Sequence, residues 1–388
     1  MNLRALPNTA NAIGLLSELV SCRSEVGPRP VDRPLVLYGA GKLGRLAADL
    51  FRRLGIPVAY ALDRSPIAGG RLPGDIRVTT PDAISRVDRD NCMVAVCIVN
   101  VPYEPIRADL SAVGWRHIFP VYDLLEAYAD RLSMGNGWFA DRIDGEDISR
   151  ITTVLSHWSD DWSRAAHLQF MAWRLHRMEW QFQDAPVRIE NRYFIEEVRS
   201  ALSNKEYFLD AGAYHGKVAA RWLDIVRGRV RAILAVEADC ENVARLREWV
   251  SSLPVKIGRS IQVSDCALAA EDGVRSFSHG MDLAARIVDH GDGKVRTCRL
   301  DDLNFPVTYG KFHLEGGELD ALRGGITTLQ RQRPVLAVTM YHNRDGLWRT
   351  PSFLMDALPD YRFLMRLHAW CGTGCVFYAI PKERIRST

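Results

Sequence analysis

The clearest structural signal in the chain is Phe208-Leu-Asp-Ala-Gly-Ala-Tyr-His-Gly216, an apolar run that leads into a glycine-rich turn. Helix-compatible sequence follows the turn, and the next apolar run, 232–236, ends in Glu237. Glycines in such a turn let the backbone approach a ligand closely. A strand, a glycine turn, a helix and a second strand that ends in an acid are typical of a doubly wound α/β domain.

The chemistry of this segment suits a nucleoside cofactor without phosphates. We predict that four residues of the turn contact the amino-acid end of such a cofactor: Asp210, Gly212, Tyr214 and Gly216. Asp210 would hold its ammonium group. Glu237 can accept hydrogen bonds from both ribose hydroxyls. Asp265, towards the end of the third strand of this domain, is predicted to meet the adenine amino group.

Further apolar runs continue the alternation of strands and helices towards the C-terminus. They lie at 261–268, 311–314, 335–341, 361–368 and 374–380. The last two runs are predicted to form a terminal antiparallel pair. We therefore place one α/β domain at residues 193–388.

Four segments of this domain, in order along the chain, match a known set of motifs. Asp210–Gly216 resembles DxGAxxG, and Val236–Asn242 is similar to FEPDPxN. Arg299–Leu303 resembles an LDD-L segment, and Lys311–Gly324 resembles KIDVEGAELDALRGA. Together they resemble the methyltransferase domain of the FkbM family.

The resemblance implies a cofactor and a reaction type. Members of the family are S-adenosylmethionine-dependent methyltransferases, and many of them methylate hydroxyls of sugars or natural products. The resemblance therefore implies that S-adenosylmethionine occupies the site predicted at the glycine turn. The phrase Asn191–Phe194 and the N-terminal part of the chain also resemble bacterial members with an extra Rossmann-like domain.

One position departs from the family's pattern, because His313 stands where the KIDVEG phrase has Asp. Near the end of the fourth strand, its imidazole could take the proton of an acceptor hydroxyl, with Glu315 orienting it. His313 could instead be a structural polar residue. A third alternative is a metal site of His313, Glu315 and His342, which follows the fifth strand at the same end of the sheet. We take these three as candidate catalytic residues, and our working prediction includes no metal.

A second glycine motif, Gly39-x-Gly41-x-x-Gly44, follows the apolar run 35–38 and opens a helix. Asp63 ends the next strand, where a carboxylate can bind ribose hydroxyls. We predict a Rossmann-like domain of nucleotide-binding type at residues 34–125, with these glycines and Asp63 contacting a nucleotide. The alternative is a tight turn that binds nothing. Redox chemistry is disfavoured, because His117 is the one obvious acid–base candidate in the segment that follows.

The remaining segments are predicted to connect these domains. Residues 1–33 have the pattern of a helix and a linker, and residues 126–192 that of a helical connector. Five of the ten tryptophans fall in the connector: Trp138, Trp158, Trp162, Trp173 and Trp180. They could stack on a sugar, or they could bury the connector between two domains. Amphipathic helices usually serve packing, which favours the second interpretation.

The composition is that of a soluble globular protein. Of 388 residues, 25% are charged and 47% are apolar, and the net charge is +3. This balance excludes wholesale disorder and gives no reason to expect a nucleic-acid partner. The run Cys92–Val99 is too short to span a membrane and no secretory signal is evident, so we expect a cytoplasmic protein. We expect reduced cysteines, and Cys371 with Cys375 match a zinc site poorly.

The motifs and the resemblance together predict a fold and a function. The fold class is α/β, with two Rossmann-like doubly wound domains joined by a helical connector. The predicted function is S-adenosylmethionine-dependent O-methylation of a saccharide or glycosylated metabolite. Two alternatives stay open, namely a non-catalytic nucleotide-binding scaffold of a biosynthetic complex and, less favoured, an NAD-dependent oxidoreductase. The acceptor and the oligomeric state, a homo-oligomer included, are not determined by the sequence.

Overall fold

The computed structural model describes residues 3–23, 26–65, 70–132, 143–278, 285–289, 291 and 293–385. The strands are β1 (Leu35–Tyr38), β2 (Val58–Leu62), β3 (Arg71–Leu72), β4 (Ile76–Thr79), β5 (Met93–Val96), β6 (His117–Pro120), β7 (Tyr207–Ala211), β8 (Ala232–Glu237), β9 (Ile261–Asp265), β10 (Ala267–Leu268), β11 (Gly273–Ser278), β12 (Arg286–Ile287), β13 (Gly293–Cys298), β14 (Tyr309–Phe312), β15 (Val335–Thr339), β16 (Tyr361–Leu367) and β17 (Cys375–Pro381). The α-helices are α1 (Thr9–Ser21), α2 (Lys42–Arg53), α3 (Arg86–Asn91), α4 (Tyr103–Ala112), α5 (Val121–Glu126), α6 (Gly145–His157), α7 (Asp161–His176), α8 (Glu196–Ala201), α9 (Lys217–Ile225), α10 (Cys240–Ser252), α11 (Val255–Gly258), α12 (Glu318–Arg323), α13 (Ile326–Gln332) and α14 (Arg349–Ala357).

The first sheet combines six strands in the order β3-β4-β2-β1-β5-β6. Its pairs are parallel, except that the short β3 runs antiparallel to β4. β1 and β5 are buried along their whole length. Side chains of α2 and α5 pack on one face of the sheet and side chains of α4 on the other. Burial on both faces explains why these strands are continuously apolar rather than alternating.

The second sheet has seven strands in the order β16-β17-β15-β14-β7-β8-β9. The strands from β15 to β9 are parallel, and β17 pairs antiparallel with both β15 and β16, as the sequence predicts for the terminal pair. The carboxyl ends of β7, β8, β14 and β15 therefore lie at one edge of the sheet. The predicted α/β class with two Rossmann-like sheets is confirmed.

A smaller sheet, β10-β13-β11-β12, is absent from the sequence-based prediction. Its strands β10 and β13 pair in parallel, which brings Cys266 beside Cys298. The structure joins these two residues in a disulfide with a Cα–Cα distance of 6.4 Å. The expectation that the cysteines are reduced is therefore wrong for this pair. Cys371 and Cys375 are buried free thiols, as expected.

Three of the four described tryptophans of the predicted connector, Trp158, Trp173 and Trp180, are buried. Trp158 packs against Phe377 of β17, with ring centroids 5.4 Å apart. Trp173, on α7, packs edge-on against Tyr103 of α4 at 5.7 Å. These contacts agree with a packing role, whereas Trp138 lies outside the described residues. The exact domain boundaries stay a prediction.

The N-terminal helix belongs to the core of the second sheet rather than to the first. Ala12, Leu16 and Leu19 of α1 are buried in the same apolar cluster as Leu168 of α7 and Phe377 of β17. The amphipathic face of α1 is thus covered by α6 and α7. No helix among the described residues is long and apolar enough to cross a membrane.

Candidate functional site

A cavity of about 460 Å³ opens at the carboxyl ends of β7, β8 and β14. Gly212 and Tyr214 line it from the turn after β7, and Glu237 lines it from the end of β8. His313 and Glu315 line it from the segment after β14. Open α/β sheets bind their ligands at this edge. The structure thus brings together residues that lie far apart in the sequence.

The glycine turn packs directly against the segment that carries His313. Gly212 has a φ of 75°, and a Cβ atom there would lie 1.9 Å from the carbonyl oxygen of His313. Only glycine permits both the dihedral angle and the approach. Gly216 also has a positive φ, and its Cβ would lie 2.2 Å from the ring of Trp249. Gly216 therefore permits the packing of α9 against α10, and its contact with a cofactor stays a prediction.

Glu237 is held in place by backbone N–H groups. Its Oε2 accepts a hydrogen bond from the N–H of Tyr214 at 2.7 Å. Its Oε1 accepts from the N–H groups of Ala238 and Asp239, both at 3.0 Å. Burial raises the pKa of Glu237 above its ordinary value, and these donors oppose the rise. Each carboxylate oxygen has about two acceptor sites, so Oε2 keeps one for a ribose hydroxyl, as binding of the cofactor would require.

Asp210 lies beneath the turn and is fully buried. Its Oδ1 is 3.0 Å from Nζ of Lys311, which also donates to the carbonyl oxygens of Ala211 and Gly212. Burial raises the pKa of Asp210, and the ammonium group of Lys311 opposes that rise. Asp210 therefore neutralises a buried lysine instead of holding the cofactor's ammonium group, which corrects its predicted role. Lys311 itself reaches the cavity wall.

Asp265 faces away from the cavity. Its carboxylate is about half exposed and lies 3.7 Å from the guanidinium of Arg247. Successive side chains of a strand point to opposite faces, so the residue after it, Cys266, points inwards. Cys266, Ala267 and Leu268 form the cavity wall at this position. The predicted contact between Asp265 and an adenine amino group is therefore wrong, and the wall there is largely apolar.

His313 is engaged at both ring nitrogens. Its Nδ1 lies 2.6 Å from the hydroxyl oxygen of Tyr193. Its Nε2 lies 2.9 Å from Oε1 of Glu315 and 3.2 Å from the hydroxyl oxygen of Tyr341. Burial lowers the pKa of His313 to about 3. General bases work best with a pKa near the working pH, so these contacts disfavour His313 as a free proton acceptor.

His342 completes the cluster and is 2% exposed. Its Nδ1 is 2.6 Å from Oε1 of Glu318, and its Nε2 is 3.4 Å from Oε1 of Glu315. Burial opposes protonation of His342, but the two carboxylates outweigh burial and raise its pKa well above the ordinary value. Despite burial, the same contacts lower the pKa of Glu315 and bring that of Glu318 to about 2.

The sequence-based prediction omits two residues of the site, Glu318 and Tyr193. Glu318 accepts hydrogen bonds from the N–H groups of Leu314 and Gly316, at 2.9 and 3.0 Å. It thereby holds the turn in which Glu315 has a φ of 49°. Glu318 could have been found from the sequence, because it is an acid only three residues after Glu315. Tyr193 lies in the phrase 191–194, which carries a resemblance but no evident chemistry.

The glycine motif of the first sheet borders a separate cavity of about 200 Å³, lined by Gly41 and Asp63. Asp63 accepts hydrogen bonds from the N–H groups of Ala40 and Ser65, at 2.9 and 3.0 Å. A Cβ on Gly44 would lie 2.0 Å from the carbonyl oxygen of Gly39, so Gly44 permits close packing in the turn. Nucleotide binding here stays a prediction, and the carboxylate of Asp63 already supports the turn.

Among the solved structures that resemble this chain are three methyltransferases. Methyltransferase FkbM from Methylobacillus flagellatus KT aligns with a TM-score of 0.64 and 16% identity, covering 97% of this chain and 94% of that chain. This likeness is one of fold. A precorrin-6y C5,15-methyltransferase from Geobacter metallireducens GS-15 aligns with a TM-score of 0.30 and 16% identity, over 52% of this chain and 96% of that one. A Podospora anserina methyltransferase bound to SAH aligns with a TM-score of 0.32 and 12% identity. The alignment covers 72% of this chain and 97% of that chain. The last two scores are too low to support an argument, and no curated protein matches the chain.

The sheet order, the glycine turn and the cavity at the strand ends define a Rossmann-like fold of methyltransferase type. Residues 210–365 match the model of the Methyltransferase FkbM domain. This part of the chain is an FkbM methyltransferase domain, and the protein is a methyltransferase.

Proposed function

We propose that the protein transfers a methyl group from S-adenosylmethionine to a hydroxyl of a saccharide or glycosylated metabolite. One observation carries the proposal, since a single cavity has Glu237 in one wall and His313 with Glu315 in another. A nucleoside cofactor and a hydroxylated acceptor can therefore share one space. Direct transfer requires that the two reactants be held together in this way.

The residues of the cavity suit S-adenosylmethionine. Glu237 offers a charged acceptor to ribose hydroxyls, and Leu268 and Phe277 offer an apolar surface to a planar base. Arg286 lines the same cavity, and its positive charge suits the carboxylate of the cofactor's amino-acid end. Bound S-adenosylmethionine would supply an electrophilic methyl group, so that an O–CH3 bond forms, the S–CH3 bond breaks and the hydroxyl proton passes to solvent.

The acceptor end of the cavity is polar. His313 and Glu315 line this end and can bind and orient hydroxyl groups through hydrogen bonds. Arg192, whose guanidinium donates to the hydroxyl of Tyr341 at 2.8 Å, also reaches the cavity wall. A mixture of donors and acceptors in one wall suits a saccharide, which carries several neighbouring hydroxyls.

Two measurements test the proposal. Calorimetry should show binding of S-adenosylhomocysteine, and mass spectrometry should show one added methyl group on a hydroxyl of an acceptor from a saccharide and glycoside panel. Cofactor binding without transfer to any hydroxylated acceptor would favour the scaffold alternative. A folded protein that does not bind S-adenosylhomocysteine would overturn the proposal.

A further inference from the structure

The cluster at the acceptor end contains the donor atoms of a metal site. His313, Glu315 and His342 each offer one atom, and the three atoms lie within 4.8 Å of one another. Oε1 of Glu315 is 2.9 Å from Nε2 of His313 and 3.4 Å from Nε2 of His342. Atoms that bind one ion at about 2.0–2.2 Å lie about 3–3.5 Å apart in tetrahedral or cis-octahedral geometry. Both distances from Oε1 of Glu315 are therefore close to those between two ligands of one ion.

The second ring nitrogen of each imidazole has a partner of the kind found at metal sites. Nδ1 of His342 is 2.6 Å from Glu318, and Nδ1 of His313 is 2.6 Å from the hydroxyl of Tyr193. Metal-binding histidines commonly use their second nitrogen in this way, because the hydrogen bond fixes the tautomer and the ring orientation. Nε2 of His342 is buried and makes no hydrogen bond within the described part of the chain. That nitrogen faces Glu315 and the cluster.

We propose that His313, Glu315 and His342 bind a first-row divalent transition-metal ion, which holds the acceptor hydroxyl at an open coordination position. Two imidazole nitrogens and one carboxylate oxygen suit such an ion better than Mg²⁺ or Ca²⁺, which prefer oxygen ligands throughout. Coordination lowers the pKa of a bound hydroxyl and so eases loss of its proton to solvent. This inference rests on the proposed function and narrows the acceptor to one whose hydroxyl can reach the ion.

Co²⁺ alone is a suitable probe, because its visible absorption reports nitrogen ligands and four- or five-fold coordination. Full-length protein freed of metal by a chelator should bind one equivalent of Co²⁺, and Zn²⁺ should displace it. His342→Gln and Glu315→Gln should each weaken Co²⁺ binding at least about tenfold, and Glu318→Gln about 10–100-fold. His157→Gln is the matched control, because His157 is exposed on α6 and bonds to its own helix. Circular dichroism checks that each variant is folded.

The Co²⁺ titrations of wild-type protein and His342→Gln can overturn the inference. The inference is wrong if folded wild-type protein binds Co²⁺ no better than His342→Gln does, or shows only the spectrum of the hydrated ion. In that case the cluster is an ion-pair network in which His342 bridges the carboxylates of Glu315 and Glu318. Methyl transfer that continues in chelator would then leave the proposed function standing without a metal. Co²⁺ binding at the cluster together with no S-adenosylhomocysteine binding would instead refute the proposed function and retain the metal site.

Discussion

Glu237 is the side chain whose loss of charge should most directly weaken cofactor binding. Glu237→Gln keeps the size of the side chain but removes a charged acceptor for the ribose hydroxyls. We expect a loss of about 1.5–3 kcal/mol, roughly ten- to a hundredfold in Kd for S-adenosylhomocysteine by calorimetry. Asp265→Asn is the control, because its carboxylate faces Arg247 outside the cavity and its Kd should not change. Equal losses in both variants would contradict this assignment.

Gly212 and Gly41 occupy comparable turns but should tolerate alanine very differently. Gly212→Ala places a Cβ 1.9 Å from the carbonyl oxygen of His313 at a φ of 75°, whereas a Cβ on Gly41 meets nothing within 4 Å. We expect Gly212→Ala to lower the free energy of unfolding by at least about 2 kcal/mol and Gly41→Ala by under about 1 kcal/mol. Urea denaturation measures both. Similar midpoints for the two variants would show that the close approach at Gly212 does not exist.

The sequence identifies individual site residues best where the chemistry follows a strand end. Glu237, His313 and His342 each follow a recognisable apolar run, so their convergence at one edge is predictable. The predicted roles of Asp210 and Asp265 are wrong because the sequence does not show which way these side chains point. Whether an acid at a strand end faces a ligand, a buried lysine or solvent depends on the direction of its side chain and on partners distant in sequence, such as Lys311. A one-residue difference in a strand reverses that direction.

The N-terminus of α4 offers a test of how the segment after α7 is joined to the first sheet. The carboxylate of Glu179 accepts hydrogen bonds from the N–H groups of Tyr103 and Glu104, the latter at 3.0 Å. Glu179→Ala leaves both groups without their charged acceptor, so we expect a loss of about 1.5–3 kcal/mol in the free energy of unfolding. Asp109→Asn, which removes an exposed ion pair of α4 with Arg64, should cost under about 1 kcal/mol. Urea unfolding curves that rank the two variants the other way would refute the capping role.

Helices and strands with strong apolar runs are predictable, whereas short ones are not. β1, β2 and β8 coincide with their predicted runs because each is a continuous apolar segment in a parallel sheet. β10 and β12 contain two residues each, too few to show a period. The predicted strand 311–314 is observed at Tyr309–Phe312. Its buried Tyr309 and Gly310 do not extend the apolar run visible in the sequence, so the strand begins earlier than the pattern indicates.

The stability of the whole chain should depend on pH through His167. This buried imidazole lies between the indole N–H of Trp158 and the carbonyl oxygen of Leu347, and burial lowers its pKa to about 4. The unfolded chain takes up a proton below about pH 6.5, whereas the folded chain stays neutral down to about pH 4. The free energy of unfolding should therefore fall as pH drops through this window, by roughly 3 kcal/mol from this one group.

His167→Gln removes this titration while keeping a polar side chain between the two partners. Chemical denaturation at several pH values should give a flatter acid limb for His167→Gln than for the wild-type protein. His157→Gln, on the exposed surface of α6, should follow the wild-type curve. Parallel curves for all three proteins would show that His167 is not buried in its neutral form.

Contacts across the molecule join parts of the chain that the sequence suggests are separate. Arg174 of α7 is buried and donates to the carbonyl oxygens of Gly372 and Tyr341. Burial lowers the pKa of Arg174 to about 9. Because His342 follows Tyr341 directly, α7 supports the backbone that carries part of the candidate site. No local pattern in the sequence predicts this link, since its partners lie far apart along the chain.

The position of α1 has a consequence for how the protein is made. Residues 9–21 leave the ribosome before α6 and α7, which cover their apolar face in the core that β17 completes. Helix α7 begins about 140 residues later, which at about 5–20 residues per second is a delay of roughly 7–30 seconds. During that interval the nascent helix exposes Ala12, Leu16 and Leu19 without their partners. The first sheet can fold while synthesis continues, whereas the methyltransferase core must wait until β17 has been synthesised.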